Sequence, residues 1–147
     1  MKRTARGATI VEAAFVMTIL FMFIIAILEF GRAYNEYQVL TNAAREAARY
    51  AVAPSPGVNG QLPQQNAVIQ IATDWLNSAG IKPASPPTVV TTPCGSVTIN
   101  GNTTIEQCTT VTVTAPFVFD ASQLLFGKNG LSINMSSTAT MVQETNW

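Results

Sequence analysis

The sequence contains no histidine and few charged residues. Without histidine there is no imidazole general base, no Ser-His-Asp triad and no His-ligated zinc site. Two cysteines, Cys94 and Cys108, make a weak metal site by themselves, so we expect no metal and no cofactor. Lysine plus arginine number 8 and aspartate plus glutamate number 8, so the composition offers no basic surface for nucleic acid.

The acidic residues of the second half form no catalytic pattern. The four acidic residues are scattered along the chain: Asp74, Glu106, Asp120 and Glu144. The sequence has no glycine-rich phosphate loop near them. Acidic side chains of this kind usually lie on the solvated surface. We therefore expect a chain that is not an enzyme.

The scarcity of charge leaves one long apolar run, Ala8–Leu28, in which Glu12 is the only charged residue. About 20 apolar residues are enough to cross a bilayer as a helix. A secretory signal peptide is the alternative, but its apolar region usually has only 7–15 residues. We predict a transmembrane helix. A carboxylate at the centre of such a helix costs roughly 2.5–3.5 kcal/mol, less near its end, so Glu12 requires a partner.

The basic residues before the apolar run predict its orientation. Lys2, Arg3 and Arg6 precede the run, whereas acidic residues outnumber basic ones after Leu28. The positive-inside rule then places the N-terminus in the cytoplasm and the remainder in the periplasm or outside the cell. The chain is therefore expected to cross a membrane once.

The helical pattern continues beyond the membrane run to about Val52, where Ala53 and Pro54 stop it. Apolar or small residues on one face recur at spacings of three and four: Ala33, Tyr37, Leu40, Ala44, Ala47, Ala48 and Ala51. This face packs either against the chain's own domain or against another subunit. Gly31 marks either a hinge or a close contact.

After a loop over Pro54–Pro63, the spacing predicts a second helix from Gln64 to Ala79 with Gly80 as its C-cap. Threonine and valine then dominate. Strands are predicted in the segments Thr88–Thr92, Ser96–Asn100, Cys108–Thr114 and Leu131–Val142, with a turn at Asn100–Asn102, a connection from Ala115, and a loop or short helical turn at Gln123–Gly127. The fold class is therefore α+β: a long N-terminal transmembrane helix continues into a periplasmic domain with a second helix and a small, mostly antiparallel β-sheet.

The two cysteines flank the predicted hairpin in the exported part of the chain. In an oxidising compartment a disulfide between Cys94 and Cys108 is expected, and two buried thiols are the alternative. The bridge would close a 15-residue loop, which contributes about 3 kcal/mol in the chain-entropy model.

A short motif, Gly7-Ala8-x-x-x-Glu12, lies between the basic leader and the apolar run. It resembles the processing site of type IV pilin-like proteins. The resemblance implies a leader of residues 1–7 that a membrane peptidase removes after Gly7, with Ala8 as the new N-terminus. The amine of a neighbour's Ala8 would then pair with Glu12, or Glu12 would pair with its own amine one turn away.

Further segments narrow the resemblance to the TadE-like family, pseudopilins of the Tad (tight adherence) pilus system. They are Arg6–Phe15, Glu29–Arg32 and Ala43–Ala51. The resemblance implies a pilin-like structural subunit for pilus assembly and surface adherence, without catalysis. It also implies as partners other pilin or pseudopilin subunits, a prepilin peptidase, the inner-membrane assembly platform and the lipid bilayer. The location that it implies is the inner (cytoplasmic) membrane of a bacterium, crossed once. Three regions follow: the leader 1–7, the long helix 8–53 and the extracytoplasmic domain 54–147.

A second hypothesis gives the chain a different role. In it the leader stays in place and the chain is a permanent single-pass anchor that presents a periplasmic binding or scaffold domain. Glu12 then pairs with a fixed partner inside the membrane. The presence or absence of residues 1–7 in the mature protein distinguishes the two hypotheses.

Overall fold

The computed structural model describes residues 4–53, 62–127 and 130–143. Within them the chain forms three helices and three strands in the order α1, α2, β1, β2, α3, β3. Their bounds are α1 Thr4–Val52, α2 Gln65–Ser78, β1 Thr88–Ile99, β2 Asn102–Val118, α3 Asp120–Phe126 and β3 Ser132–Val142. The strands form one antiparallel sheet in the order β1-β2-β3, so the predicted α+β class is confirmed.

Several predicted features lie outside the described residues. They are Lys2 and Arg3 of the leader, most of the loop over Pro54–Pro63, and the tail with Glu144. The chain divides into two units. The first consists of α1 up to Tyr34 together with Phe119–Leu131, and the second runs from Asn35 to Val118 and from Ser132 onward.

Helix α1 ends at Val52 as predicted but begins at Thr4, four residues before the expected start. The early start has a simple cause, because no proline precedes Ala8 to prevent helix formation. Its apolar part has a mean hydropathy of 2.7 over the most apolar 18-residue window, which is 0% buried. Within the described residues this is one helix that is long and apolar enough to cross a membrane.

The alanine-rich end of α1 packs against the chain's own domain, which confirms the first of the two interpretations of this face. Leu40, Ala43, Ala44, Ala47 and Ala48 are all 0% exposed. They belong to one core cluster with residues of α2 and of the central strand. Methyl side chains let the helix backbone approach its neighbours closely, so a row of alanines suits this position. The predicted face was wrong in two respects, because it omitted the buried Ala43 and included Tyr37, which is 46% exposed.

Helix α2 contributes Val68, Ala72 and Leu76 to the same core. Its end follows the pattern predicted for Gly80, which has φ +75°. The N–H of Gly80 donates to the carbonyl of Asn77 (3.0 Å), and the N–H of Ile81 donates to that of Leu76 (2.9 Å). These two bonds define a Schellman motif, and glycine adopts its left-handed conformation without a Cβ clash. Leu76 and Ile81 are both buried, which supplies the hydrophobic contact of the motif.

The hairpin between β1 and β2 turns where predicted. Asn100 (φ 51°) and Gly101 (φ 82°) connect the paired residues Ile99 and Asn102. Two positive φ angles at Asn-Gly are typical of a type I′ turn, whose twist fits an antiparallel hairpin. The two strands predicted before this turn are one strand, β1. A bulge between Pro93 and Gly95 carries the pairing past the Pro-Cys-Gly segment that we expected to interrupt it.

Strand β2 is longer at both ends than predicted. It continues through Pro116 to Val118, although we expected a connection from Ala115. The carbonyl of Thr114 accepts a hydrogen bond from the N–H of Ala84, so it lies on the edge of β2 that faces away from β3. Pro116 is two residues further along, and its nitrogen therefore lies on the same edge. The pairing of β1 with β2 reaches only to Thr112. No hydrogen bond to β1 is therefore lost at Pro116, which has no N–H. Helix α3 follows β2, in the region where the sequence predicted either a loop or a short helical turn.

The two faces of β2 differ. Val111, Val113, Ala115 and Phe117 are buried, in plain alternation with residues that are more exposed. On the other face, hydroxyl groups pair across β2 and β3. The pairs are Thr110–Thr140 (2.9 Å), Thr112–Thr138 (3.0 Å) and Thr114–Ser136 (3.3 Å). The threonine-rich composition therefore provides cross-strand pairs on the solvent face of the sheet.

Candidate processing and assembly site

The bond between Gly7 and Ala8 lies within the first turns of α1. Both residues are exposed, and a Cβ added to Gly7 would meet nothing within 4 Å. The first turn of a helix lacks part of its hydrogen bonding, and glycine favours the helix less than alanine by about 1 kcal/mol. The bond is thus accessible, and its helical conformation is weakly held.

Glu12 lies four residues after Ala8, and the two residues share one exposed face of α1. With them on this face are Gly7, Val11, Phe15 and Val16. No ion pair of Glu12 is present among the side chains that the structure describes. An acid among apolar side chains, without a cation in the described part of its own chain, fits a site completed by another group.

The rest of the apolar segment offers no other unsatisfied polar group among its described side chains. Thr18 is the hydroxyl residue in its middle, and its Oγ1 donates to the carbonyl of Ala14 at 2.9 Å. This bond within the helix removes the cost of placing a hydroxyl in lipid. Phe15, Met22 and Ile27 are 70%, 74% and 70% exposed, so the segment presents bare apolar surface.

A group of charges follows directly after the apolar segment, and we call it the exit cluster: Glu29, Arg32, Asp120 and the N–H of Ala121. The guanidinium of Arg32 lies 3.0 Å from the Glu29 carboxylate and 2.7 Å from that of Asp120. The second oxygen of Glu29 accepts a hydrogen bond from Ala121 N–H at 2.9 Å. The Glu29 side chain is only 12% exposed. Glu29 therefore supplies the acceptor that the start of α3 needs.

Asp120 lies on the surface, as the sequence predicted for it, and the exit cluster adds a contact that the sequence did not predict. Its side chain is 66% exposed, but it pairs with Arg32 of α1. No local sequence pattern indicates this contact, because Arg32 and Asp120 are far apart in the chain. Further along α1, Glu46 and Arg49 are three residues apart and form an ion pair at 3.9 Å.

Hydrogen bonds also join the two ends of the segment Phe119–Leu131. The N–H of Phe119 donates to the carbonyl of Leu131 at 3.1 Å. The Ser122 hydroxyl donates to the carbonyl of Phe119 (2.6 Å) and accepts from the N–H of Leu131 (2.7 Å). The segment is thus closed on itself at Ser122 and attached to α1 through Glu29 and Arg32.

Replacing Glu29 by alanine should loosen this attachment. The substitution removes a charge-assisted hydrogen bond to Ala121 and an ion pair with Arg32, and bonds of the first kind contribute roughly 1.5–3 kcal/mol. We expect amide hydrogen exchange in residues 119–127 to accelerate by about 10- to 100-fold, measured by mass spectrometry on the full chain in detergent. Glu46→Ala is the control, because the ion pair that Glu46 forms among the described side chains is the 3.9 Å pair with exposed Arg49. Equal exchange in the Glu29→Ala variant and the wild type would contradict this role.

The cysteines lie in the hairpin, away from the membrane segment in the chain. Cys94 and Cys108 form the predicted disulfide, with their Cα atoms 5.6 Å apart. Cys94 is the extra residue of the β1 bulge, between Pro93 and Gly95. In the described part of the chain, no group of three or more acidic or cysteine side chains could hold a metal ion.

Comparison with known proteins supports the resemblance found in the sequence. No curated protein and no solved structure matches the chain. A protein-family model described as TadE-like protein matches residues 7–49. The matched segment begins at Gly7, contains Glu12 and the exit-cluster residues of α1, and ends in the alanine-rich part of the helix. Over residues 7–49, the resemblance to the TadE-like family is confirmed.

Proposed function

We propose that this chain is a pilin-like (pseudopilin) structural subunit for the assembly of a Tad-type type IV pilus, with a role in surface adherence. The TadE-like family is pilus-associated, and the match over residues 7–49 carries the proposal. It covers Gly7, Ala8 and Glu12, the three residues on which processing and assembly would depend. In this proposal the chain performs no catalysis and needs no cofactor.

The exposed apolar surface supports an assembly role. The helix would reside in the bilayer of the inner membrane before assembly, with the domain on the far side, and would exchange lipid for neighbouring subunits during assembly. Bare side chains such as Phe15 and Met22 would pack against those neighbours. No such contact is needed by the folded domain, whose core lies beyond Asn35.

Processing would complete the site around Glu12. Removal of residues 1–7 by a prepilin peptidase would create an amine at Ala8. That amine is a cation, and in a water-poor environment its pairing with the Glu12 carboxylate of an adjacent subunit would offset the cost of both charges. Because the pair must meet at one level, it would also fix the axial register between subunits.

The test is the N-terminal mass of the protein from membranes and from sheared filaments. We expect a mature form that begins at Ala8, and we expect the variant Gly7→Ala to lose it. Gly31→Ala is the matched control, since Gly31 is also an exposed glycine of α1 with open space around it. Glu12→Ala should be processed normally but should be depleted from the filament fraction.

An intact Met1 terminus in cells that contain the peptidase would contradict the proposal. That result would favour the uncleaved anchor that presents a periplasmic binding or scaffold domain. Processing of Gly31→Ala at the wild-type level is required for the comparison, because it shows that a glycine-to-alanine change in α1 does not itself block export. If filaments contain Glu12→Ala at the wild-type level, that result would contradict the assembly role of Glu12 but not the processing at Gly7.

A further inference from the structure

An open groove lies between the end of α1 and α2, within the second unit. It has a volume of about 390 Å³. Its lining consists of two aromatic residues, two acidic residues, one aliphatic residue and one serine: Tyr50, Trp75, Glu46, Asp74, Ile71 and Ser78. Two helical rows form the walls, because Glu46 and Tyr50 are four residues apart on α1 and Ile71, Trp75 and Ser78 follow one face of α2.

The most unusual wall residue is Trp75, whose side chain is 45% exposed. Its neighbour Leu76 is fully buried and holds α2 in the core, so α2 directs Trp75 away from the core. The chain does not use this ring for its own core packing. Partly exposed tryptophan in a groove is typical of residues that dominate protein–protein binding.

The charged residues that line the groove have one sign. Glu46 and Asp74 are acidic, and no basic residue lines the groove. Among the described side chains Asp74 has no ion pair, while Glu46 has the 3.9 Å pair with Arg49, whose side chain is 75% exposed. Such a pair is weak and leaves the carboxylate available. The groove therefore combines aromatic faces with negative charge that is largely uncompensated.

We propose that this groove binds a segment of another protein that presents an arginine side chain. A guanidinium stacks on the face of tryptophan with about 0.5–2 kcal/mol of attraction, and its fork of N–H donors suits a carboxylate. Asp74 and Glu46 would supply the carboxylates, and Trp75 and Tyr50 the aromatic surface. The inference concerns the domain after Asn35 and does not depend on cleavage at Gly7.

The test uses the full chain in nanodiscs and N-acetyl-arginine amide as the probe, observed by NMR. We expect saturable line broadening and an upfield shift of the arginine δ-methylene protons, which only a position over an aromatic ring produces. N-acetyl-norleucine amide, an uncharged probe of similar length, should show neither effect. Trp75→Leu should abolish the upfield shift, and Asp74→Asn should weaken binding about threefold or more.

Glu106→Gln is the matched control, because it removes one negative charge from a strand that does not line the groove. It should bind the probe as the wild type does. An equal response to both probes, or equal weakening by Glu106→Gln and Asp74→Asn, would overturn the proposal. If probe binding rises when the protein alone is diluted, then a second copy of the chain occupies the groove and the proposal of a different partner is wrong.

Discussion

Leu40→Ala should lower the free energy of unfolding of the second unit by about 2–5 kcal/mol. Leu40 is 0% exposed and is among the largest fully buried side chains. It sits at the start of an alanine row, Ala43 to Ala51, whose methyl groups cannot move to fill a cavity. Urea denaturation in detergent micelles, followed by the fluorescence of Trp75 in a Trp147→Phe background, would measure the loss.

Leu28→Ala is the control for this prediction. It is the same substitution in the same helix, but Leu28 is 65% exposed and lies in the apolar segment. We expect its effect on the unfolding of the second unit to be within about 0.5 kcal/mol. Equal effects of the two substitutions would show that Leu40 does not act through the core.

Removal of the disulfide should cost about 3 kcal/mol of stability. The double variant Cys94→Ser/Cys108→Ser opens a loop of 15 residues, and in the chain-entropy model such a loop contributes about that amount. The local geometry supports a large effect, because Cys94 is the unpaired residue of the bulge and Cys108 is 6% exposed. Without the bridge, the strands are held beside the bulge by the backbone ladder and by the hydrogen bond between the Thr91 and Thr109 hydroxyl groups.

The midpoint of urea denaturation provides the measurement. Wild-type protein treated with a reductant should unfold at the urea concentration of the double variant. Thr98→Ala/Thr103→Ala is the control, since it removes a different cross-strand pair of the same hairpin, an exposed 3.0 Å hydrogen bond. It should cost less than about 1 kcal/mol. An unchanged midpoint after full reduction would contradict the stabilising role of the disulfide.

Local signals predicted much of the fold. The spacing of Leu40, Ala44, Ala47 and Ala48 indicated a helix face, and all four are buried. Gly80 and the Asn100-Gly101 turn were predicted correctly for a similar reason, because each depends on backbone conformations that few residue types adopt. The threonine- and valine-rich segment Cys108–Thr114 was likewise predicted correctly as a strand, and it lies within β2.

The errors occurred where distant contacts override a local signal. Pro93 and Pro116 both suggested the end of a strand, but a bulge follows the first, and the second lies beyond Thr112, where the pairing of β2 with β1 ends. The contacts of Glu29 and Arg32 with α3 join residues whose separation of about ninety positions leaves no periodic pattern. At the candidate site the sequence identified Gly7, Ala8 and Glu12, and the structure adds their shared exposed face.

The strand order has a practical consequence for handling the protein. Because β3 pairs only with β2 among the described residues, it forms one margin of the sheet along Ser132–Val142. That segment contains no charged residue and no proline, the features by which proteins usually prevent edge-to-edge aggregation. The margin at β1 carries Pro93 and a bulge. A lysine introduced into β3 on its hydroxyl-bearing face is therefore the first change to make if concentrated samples precipitate.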